Sequence, residues 1–286
     1  MLHPFLFTQM KEMSNKSRPI GVFDSGVGGL SVLRAIRERL PGEETVYFAD
    51  QAHVPYGPRG LAQVRRLTGA SVCFLMDQGA KLIVLACNTA SAAALHSLRL
   101  EYPSFPFVGM EPAVKPAAER TESGVVGVLA TPTTFEGELY SSVVERFAQN
   151  AVLLQSTCPG LVAEIEAGRG NGPEAQLILR EALEPMLAKG LDTVVLGCTH
   201  YLFAFDTIRA IVGPRVRLID PAPAIARRVE GLLHERGLNN PARSGGAVRY
   251  FTSADPGQMQ ARIKQLLGVE AKVLAAIWKN EQLITN

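Results

Sequence analysis

Leu82-Ile-Val-Leu-Ala-Cys87-Asn-Thr-Ala-Ser-Ala-Ala-Ala94 carries an apolar run into a cysteine and then turns into small, helix-forming residues. The pattern predicts a strand buried on both faces, a thiol at its carboxyl edge and a helix capped by Asn88 or Thr89. Beside a helix N-terminus the free N–H groups and the dipole favour an anion. The thiol is therefore expected to titrate below its ordinary value of about 8.5. The design recurs in Asp192-Thr-Val-Val-Leu-Gly-Cys198-Thr-His200. Two such cysteines read as a pair, and a chain that carries the motif twice is constrained towards two similar halves.

The rest of the chain agrees. Strands expected at 19–25, 45–50, 124–131, 151–155, 216–219 and 248–252 alternate with helices ending near Leu40, Lys189 and Ile211. Others are expected at 60–79, after Cys87 as far as Glu101, from Thr134 to Asn150, at 223–236 and at 255–267. Alternation of this kind means α/β, with mainly parallel sheets flanked by helices. Gly21-Val-Phe-Asp-Ser25 matches Gly127-Val-Leu-Ala-Thr131. Cys87 lies 62 residues after Ser25 and Cys198 lies 67 after Thr131.

The expectation is two pseudo-symmetric lobes with the active site in the cleft between them, because ligands of open α/β sheets sit beyond the carboxyl ends of the strands. Gly109 to Pro116 and Asp220-Pro-Ala-Pro223 mark the boundaries. They give an N-terminal extension at 1–17, a first domain of 18–110 plus 221–286, and a second of 111–220.

Several local features are weaker. Gly26-Val-Gly28-Gly29 resembles a phosphate loop only loosely, since it lacks both G-x-G-x-x-G and the lysine of a P-loop. Tyr56, in Pro55-Tyr56-Gly57, is expected exposed on its turn. Cys73 is expected on the apolar face of its helix, in the core.

A net charge of +2, with no basic stripe, gives nucleic-acid binding no support. No secretory h-region and no run of roughly 18 apolar residues is visible, so a cytoplasmic protein without membrane contact is expected. Cys73, Cys87, Cys158 and Cys198 form no C-x-x-C pair. Free thiols are expected, and no metal site.

Two opposed thiols have a chemical meaning. Inverting a stereocentre by proton transfer needs a base on one face of the carbon and an acid on the other, with the roles exchanged in reverse. A thiolate and a thiol supply that symmetry, provided hydrogen-bond donors in a dry cleft stabilise the carbanion. Pyridoxal phosphate on a lysine is the other common solution, but no lysine context argues for it and no cofactor is expected.

At this point the chain resembles the glutamate racemases of the aspartate/glutamate racemase family, cofactor-independent bacterial enzymes that supply D-glutamate for peptidoglycan. The resemblance rests on Phe23-Asp24-Ser25-Gly-Val-Gly-Gly-Leu-Ser31, Pro55-Tyr56-Gly57, Ala86-Cys87-Asn88-Thr89-Ala90 and Gly197-Cys198-Thr199-His200-Tyr201. Thr131 with Thr134, and Cys158-Pro159 with Glu166, support it more weakly. These matches span roughly 19–268. Ala130 before Thr131, and Gly160-Leu-Val-Ala after Cys158-Pro159, depart from the family pattern.

The resemblance implies that Cys87 and Cys198 are the acid/base residues, with Asp24 assisting the first and His200 the second. Ser25, Tyr56, Gly57, Asn88, Thr89 and Thr199 would hold glutamate, with Asp24 and His200. A homodimer is implied, as is a peptidoglycan-precursor effector at the N-terminal extension. The competing readings are a racemase of aspartate or a hydantoin, a two-lobed amino-acid-binding protein, and a cysteine hydrolase using Cys198 with His200. The last leaves Cys87 unexplained.

Overall fold

The computed structural model describes residues 15–149 and 151–285. Most of the expected N-terminal extension, residues 1 to 14, lies outside the described residues. Two sheets organise the chain. The larger has seven strands, β1 (Ile20–Asp24), β2 (Thr45–Ala49), β3 (Leu82–Leu85), β4 (Phe107–Gly109), β9 (Val248–Thr252), β10 (Val273–Lys279) and β11 (Gln282–Thr285). Their order across the sheet is β11-β10-β9-β2-β1-β3-β4. All the pairings are parallel except the terminal β10–β11 hairpin. The smaller sheet holds β5 (Val125–Ala130), β6 (Val152–Ser156), β7 (Thr193–Gly197) and β8 (Arg217–Ile219). Its order is β6-β5-β7-β8, all parallel. The α/β expectation therefore holds.

Helices cover both faces of the larger sheet, which is why β1, β2 and β3 are buried along their whole length. α1 (Leu30–Arg39) packs with α10 (Ala222–Glu235), and α2 (Leu61–Asp77) with α3 (Asn88–Glu101). One continuous apolar core joins the lobes, running from Val27 and Leu30 to Leu161, Cys198 and Tyr201. Cutting a fully buried side chain such as Ile83 to Ala would cost about 2–5 kcal/mol. A buried ion pair, Lys81 Nζ to Glu43 at 2.5 Å, closes the far end of the larger sheet, where Glu43 also accepts from the Asn240 N–H.

Register makes the internal repeat physical. Phe23 pairs with Leu85, so one strand position brings Ser25 level with Cys87 two residues on. Ala130 pairs with Gly197, which brings Thr131 level with Cys198. Each cysteine thus follows a central strand and stands beside a hydroxyl residue that follows its neighbour.

Several expectations need correction. The helix expected from Thr134 to Asn150 is two, α5 (Pro132–Glu136) and α6 (Glu138–Phe147), because Gly137 adopts an extended conformation between them. After Cys198 the chain forms a 3₁₀ turn (Thr199–Ala204) before α9 (Phe205–Val212). β4, β10, β11 and the short α4 (Val114–Ala118) were not foreseen. Cys73 is exposed, not in the core: the buried stripe of α2 runs through Val64, Thr68, Ser71 and Leu75, and Cys73 falls off it. Tyr56 is buried rather than exposed. Its hydroxyl donates to Asp50 at 2.7 Å and its ring packs on Phe23. No helix of the described residues is long and apolar enough to cross a membrane.

Candidate active site

Both repeated cysteines line one cavity of about 220 Å³ between the two sheets. Ser25, Tyr56, Gly57, Asn88, Thr89, Thr131, Thr199 and His200 line it with them. The described lining residues include no lysine or arginine, so apart from His200 a bound carboxylate would meet neutral donors. Asp24 is fully buried and stands just behind this wall.

On one side, Cys87 is itself the N-cap of α3, its sulfur accepting from the Ala90 N–H at 3.5 Å, while Ser25 Oγ lies 3.7 Å away. The expected cap at Asn88 or Thr89 is therefore displaced by one residue. The expected fall in the thiol's pKa is also reversed. Burial, followed by the charge of Asp24, pushes it up to about 12, against the smaller pull of the Ala90 N–H. Burial likewise lifts Asp24 to about 6, opposed by the charge of His200 and by the bonds from the Gly26 N–H (2.7 Å) and Thr199 Oγ1 (3.0 Å).

The other side is built differently. Cys198 Sγ stands 3.9 Å from His200 Nδ1, and His200 Nε2 is 2.6 Å from Glu166 Oε1. Burial alone would lower the pKa of His200, but its hydrogen bonds to Cys198 and Glu166, with the charges of Glu166 and Asp24, hold it well above 6.5. Burial would raise Glu166, and the His200 bond and charge outweigh it. The result is an imidazolium–carboxylate pair whose free ring N–H faces a sulfur. The Gly-rich loop after β1 serves this contact. Val27 N–H donates to Glu166 Oε1 at 2.7 Å, and a Cβ on Gly28 would meet His200 Nδ1 at 2.5 Å. The glycines of this loop let one lobe approach the other's histidine.

Asn88 is buried, yet neither its side-chain oxygen nor its nitrogen has a partner among the described residues. An orphaned amide costs about 1–3 kcal/mol and is expected where a ligand completes the bonding. Thr89, Thr131 and Thr134 form a hydroxyl cluster across the cleft, at 2.9 Å between Thr89 and Thr131 and 2.8 Å between Thr131 and Thr134. Cys158 also lines the cavity, its thiol raised to about 12 mainly by burial.

Sequence reading missed two groups that frame the site. Asp50 accepts from Tyr56, from Ser253 Oγ and from Trp278 Nε1, each at 2.7 Å, and so fixes the Tyr56-Gly57 loop. Gln51 Nε2 donates to Glu166 Oε2 at 2.8 Å. An acid closing β2, as Asp24 closes β1, was the visible signal for the first; Gln51 gave none.

Fold and site together define a two-lobed α/β protein that presents a cysteine from each sheet to one cavity. The family model for Asp/Glu/Hydantoin racemase matches residues 20–229, and the chain belongs to that family. A glutamate racemase of Roseiflexus sp. (strain RS-1) is 50% identical over 256 residues, 89% of this chain and 94% of that protein. Among solved structures, glutamate racemase isoform RacE1 from Bacillus anthracis superposes with a TM-score of 0.84 at 30% identity, covering 93% of this chain and 99% of that one. Escherichia coli glutamate racemase, in complex with L-glutamate and the activator UDP-MurNAc-Ala, does so at 0.79 and 33%, with 93% and 99% covered.

Proposed function

We propose that this racemase interconverts L- and D-glutamate without a cofactor, by proton transfer between Cys87 and Cys198. The observation that carries the reading is the pair of cysteines at register-equivalent strand ends, lining one cavity from two lobes. The name of the Roseiflexus relative and the L-glutamate held by the E. coli structure support the substrate.

One cysteine, as thiolate, takes the Cα proton from one face; the electron pair stays on Cα and spreads into the adjacent carboxylate. The other, as thiol, gives its proton to the opposite face, leaving the charges of the two sulfurs exchanged. His200, with Glu166 behind it, moves and holds the proton at Cys198, and Asp24 does so for Cys87. Ser25, Asn88, Thr89, Thr199 and the Tyr56-Gly57 loop hold the ammonium and the two carboxylates. Neutral donors suit this role, because they bind the carboxylates without the desolvation cost of a buried lysine or arginine.

In this reading 18–110 with 221–286 and 111–220 are the two domains, and the enzyme is a cytoplasmic homodimer that feeds peptidoglycan synthesis. The activator in the E. coli structure supports a like effector here, for which the N-terminal extension is the proposed place. The test is circular dichroism of L-glutamate, L-aspartate and a hydantoin incubated with purified protein and no added cofactor. Glutamate alone should lose optical activity; comparable kcat/KM for aspartate would overturn the substrate assignment.

A further inference from the structure

Behind Glu166 on the Cys198 side runs a hydrogen-bonded chain whose outer links, Gln51, Thr252 and Ala254, the mechanism above does not use. It starts just after β9, in the lobe opposite Cys198. The Ala254 N–H donates to Thr252 Oγ1 at 3.2 Å, and Thr252 Oγ1 donates to Gln51 Oε1 at 2.8 Å. Gln51 Nε2 then donates to Glu166 Oε2 at 2.8 Å, and the other Glu166 oxygen pairs with His200. An ionised Glu166 only accepts, so the amide turns its N–H₂ to the carboxylate and its oxygen to the Thr252 hydroxyl. Glu166 is held at one oxygen by Val27 and His200, and at the other by Gln51. Without Gln51 the carboxylate could turn about its Cγ–Cδ bond and carry His200 out of line with Cys198.

We infer that Gln51 is a positioning residue for the Cys198 proton transfer, acting across the cleft through Glu166 and His200. The inference rests on the racemase reading above. Its consequence is asymmetric. Enantiomers are equally stable, so the equilibrium constant is one and kcat/KM must fall equally in both directions. The individual steps need not. Where Cys198 abstracts the proton, slowing that step makes Cα–H cleavage more rate-limiting. Where Cys87 abstracts and Cys198 delivers, a slowed delivery returns the carbanion to Cys87 and makes cleavage less rate-limiting.

The experiment compares wild type with Gln51→Met, which keeps the length and loses the donor, and with Thr252→Val, which loosens Gln51 from outside the site. Each is assayed with L- and D-glutamate carrying hydrogen or deuterium at Cα. Loss of one hydrogen bond to a charged group predicts a fall of about tenfold in kcat/KM for Gln51→Met, and a smaller fall for Thr252→Val. The deuterium isotope effect on kcat/KM should rise for one enantiomer and drop for the other. A merely structural loss would leave both unchanged or move them together, and that result would overturn the inference, as would kcat/KM within twofold of wild type. If wild type racemises glutamate and Gln51→Met matches it, only this inference fails. If wild type does not, the racemase reading fails with it.

Discussion

At Cys87 the strand passes into an α-helix, the sulfur takes a backbone N–H, and the nearest charge is the carboxylate of Asp24. At Cys198 the same strand end passes into a 3₁₀ turn, and the nearest charge is the imidazolium of His200, backed by Glu166. Equivalent backbone positions thus carry opposite electrostatics. An internally repeated fold supplies two sulfurs facing one cavity. The residues that follow each strand, and those reaching in from the other lobe, then tune each sulfur separately. A racemase tolerates such asymmetry because only the overall equilibrium constant is fixed at one.

The comparison can be broken first at the sulfurs themselves. Cys87→Ala and Cys198→Ala should each lower racemisation by about a thousandfold or more in both directions, since each direction needs an acid and a base. A variant of either that retains near wild-type turnover would remove the pair. His200→Asn should come next, with a loss of about a hundredfold in kcat/KM and a lowered melting temperature near pH 8, because the buried Glu166 carboxylate loses its partner; equal activity would detach the histidine from Cys198.

Asp24→Asn sharpens the contrast in another way. The folded pKa of Asp24, about 6, lies above the ordinary 3.8, so the folded state holds this proton more tightly than the unfolded chain does. The burial carries no penalty below about pH 4. Stability is then lost as the pH rises towards 6, by about 3 kcal/mol in total. The uncharged amide of the Asp24→Asn variant avoids that loss. The variant's melting temperature should exceed that of wild type at pH 8 and converge on it near pH 4, while racemisation falls at least several-fold. A variant less stable than wild type at pH 8 would contradict the assigned cost. The smallest effect belongs to Cys73→Ser, which should leave kcat, KM and melting temperature within error, because that thiol is exposed and off the cavity.

How much of this was legible in sequence follows from which physics is local. Strands buried on both faces declare themselves as apolar runs, so β1, β2, β3, β5 and β7 and the cysteines beyond them could be placed, and with them the cavity lining. β10 and β11 could not: Asn280 and Glu281 make the hairpin turn at φ of 48° and 62°, and a glutamate in that region is no turn signal. The direction of the Cys87 shift was misread for a related reason. The helix terminus is local and was visible, whereas the burial that outweighs it, and the approach of Asp24, depend on β1 pairing beside β3. Tyr56 was placed on an exposed turn because its partner Asp50 takes no part in that turn's own residues. Gln51 was silent because its meaning lies in Glu166, 115 residues away.

That two different sulfurs serve the two faces of Cα is tested most directly by solvent hydrogen. L-glutamate is incubated in D₂O with the wild-type enzyme and sampled by mass spectrometry at low conversion. With one thiol removing the proton and the other, already exchanged with solvent, delivering to the opposite face, the D-glutamate formed should carry deuterium at Cα almost completely. The recovered L-glutamate should carry little. Label entering substrate as fast as product, or product that retains its original hydrogen, would show one base serving both faces and contradict the two-thiol mechanism.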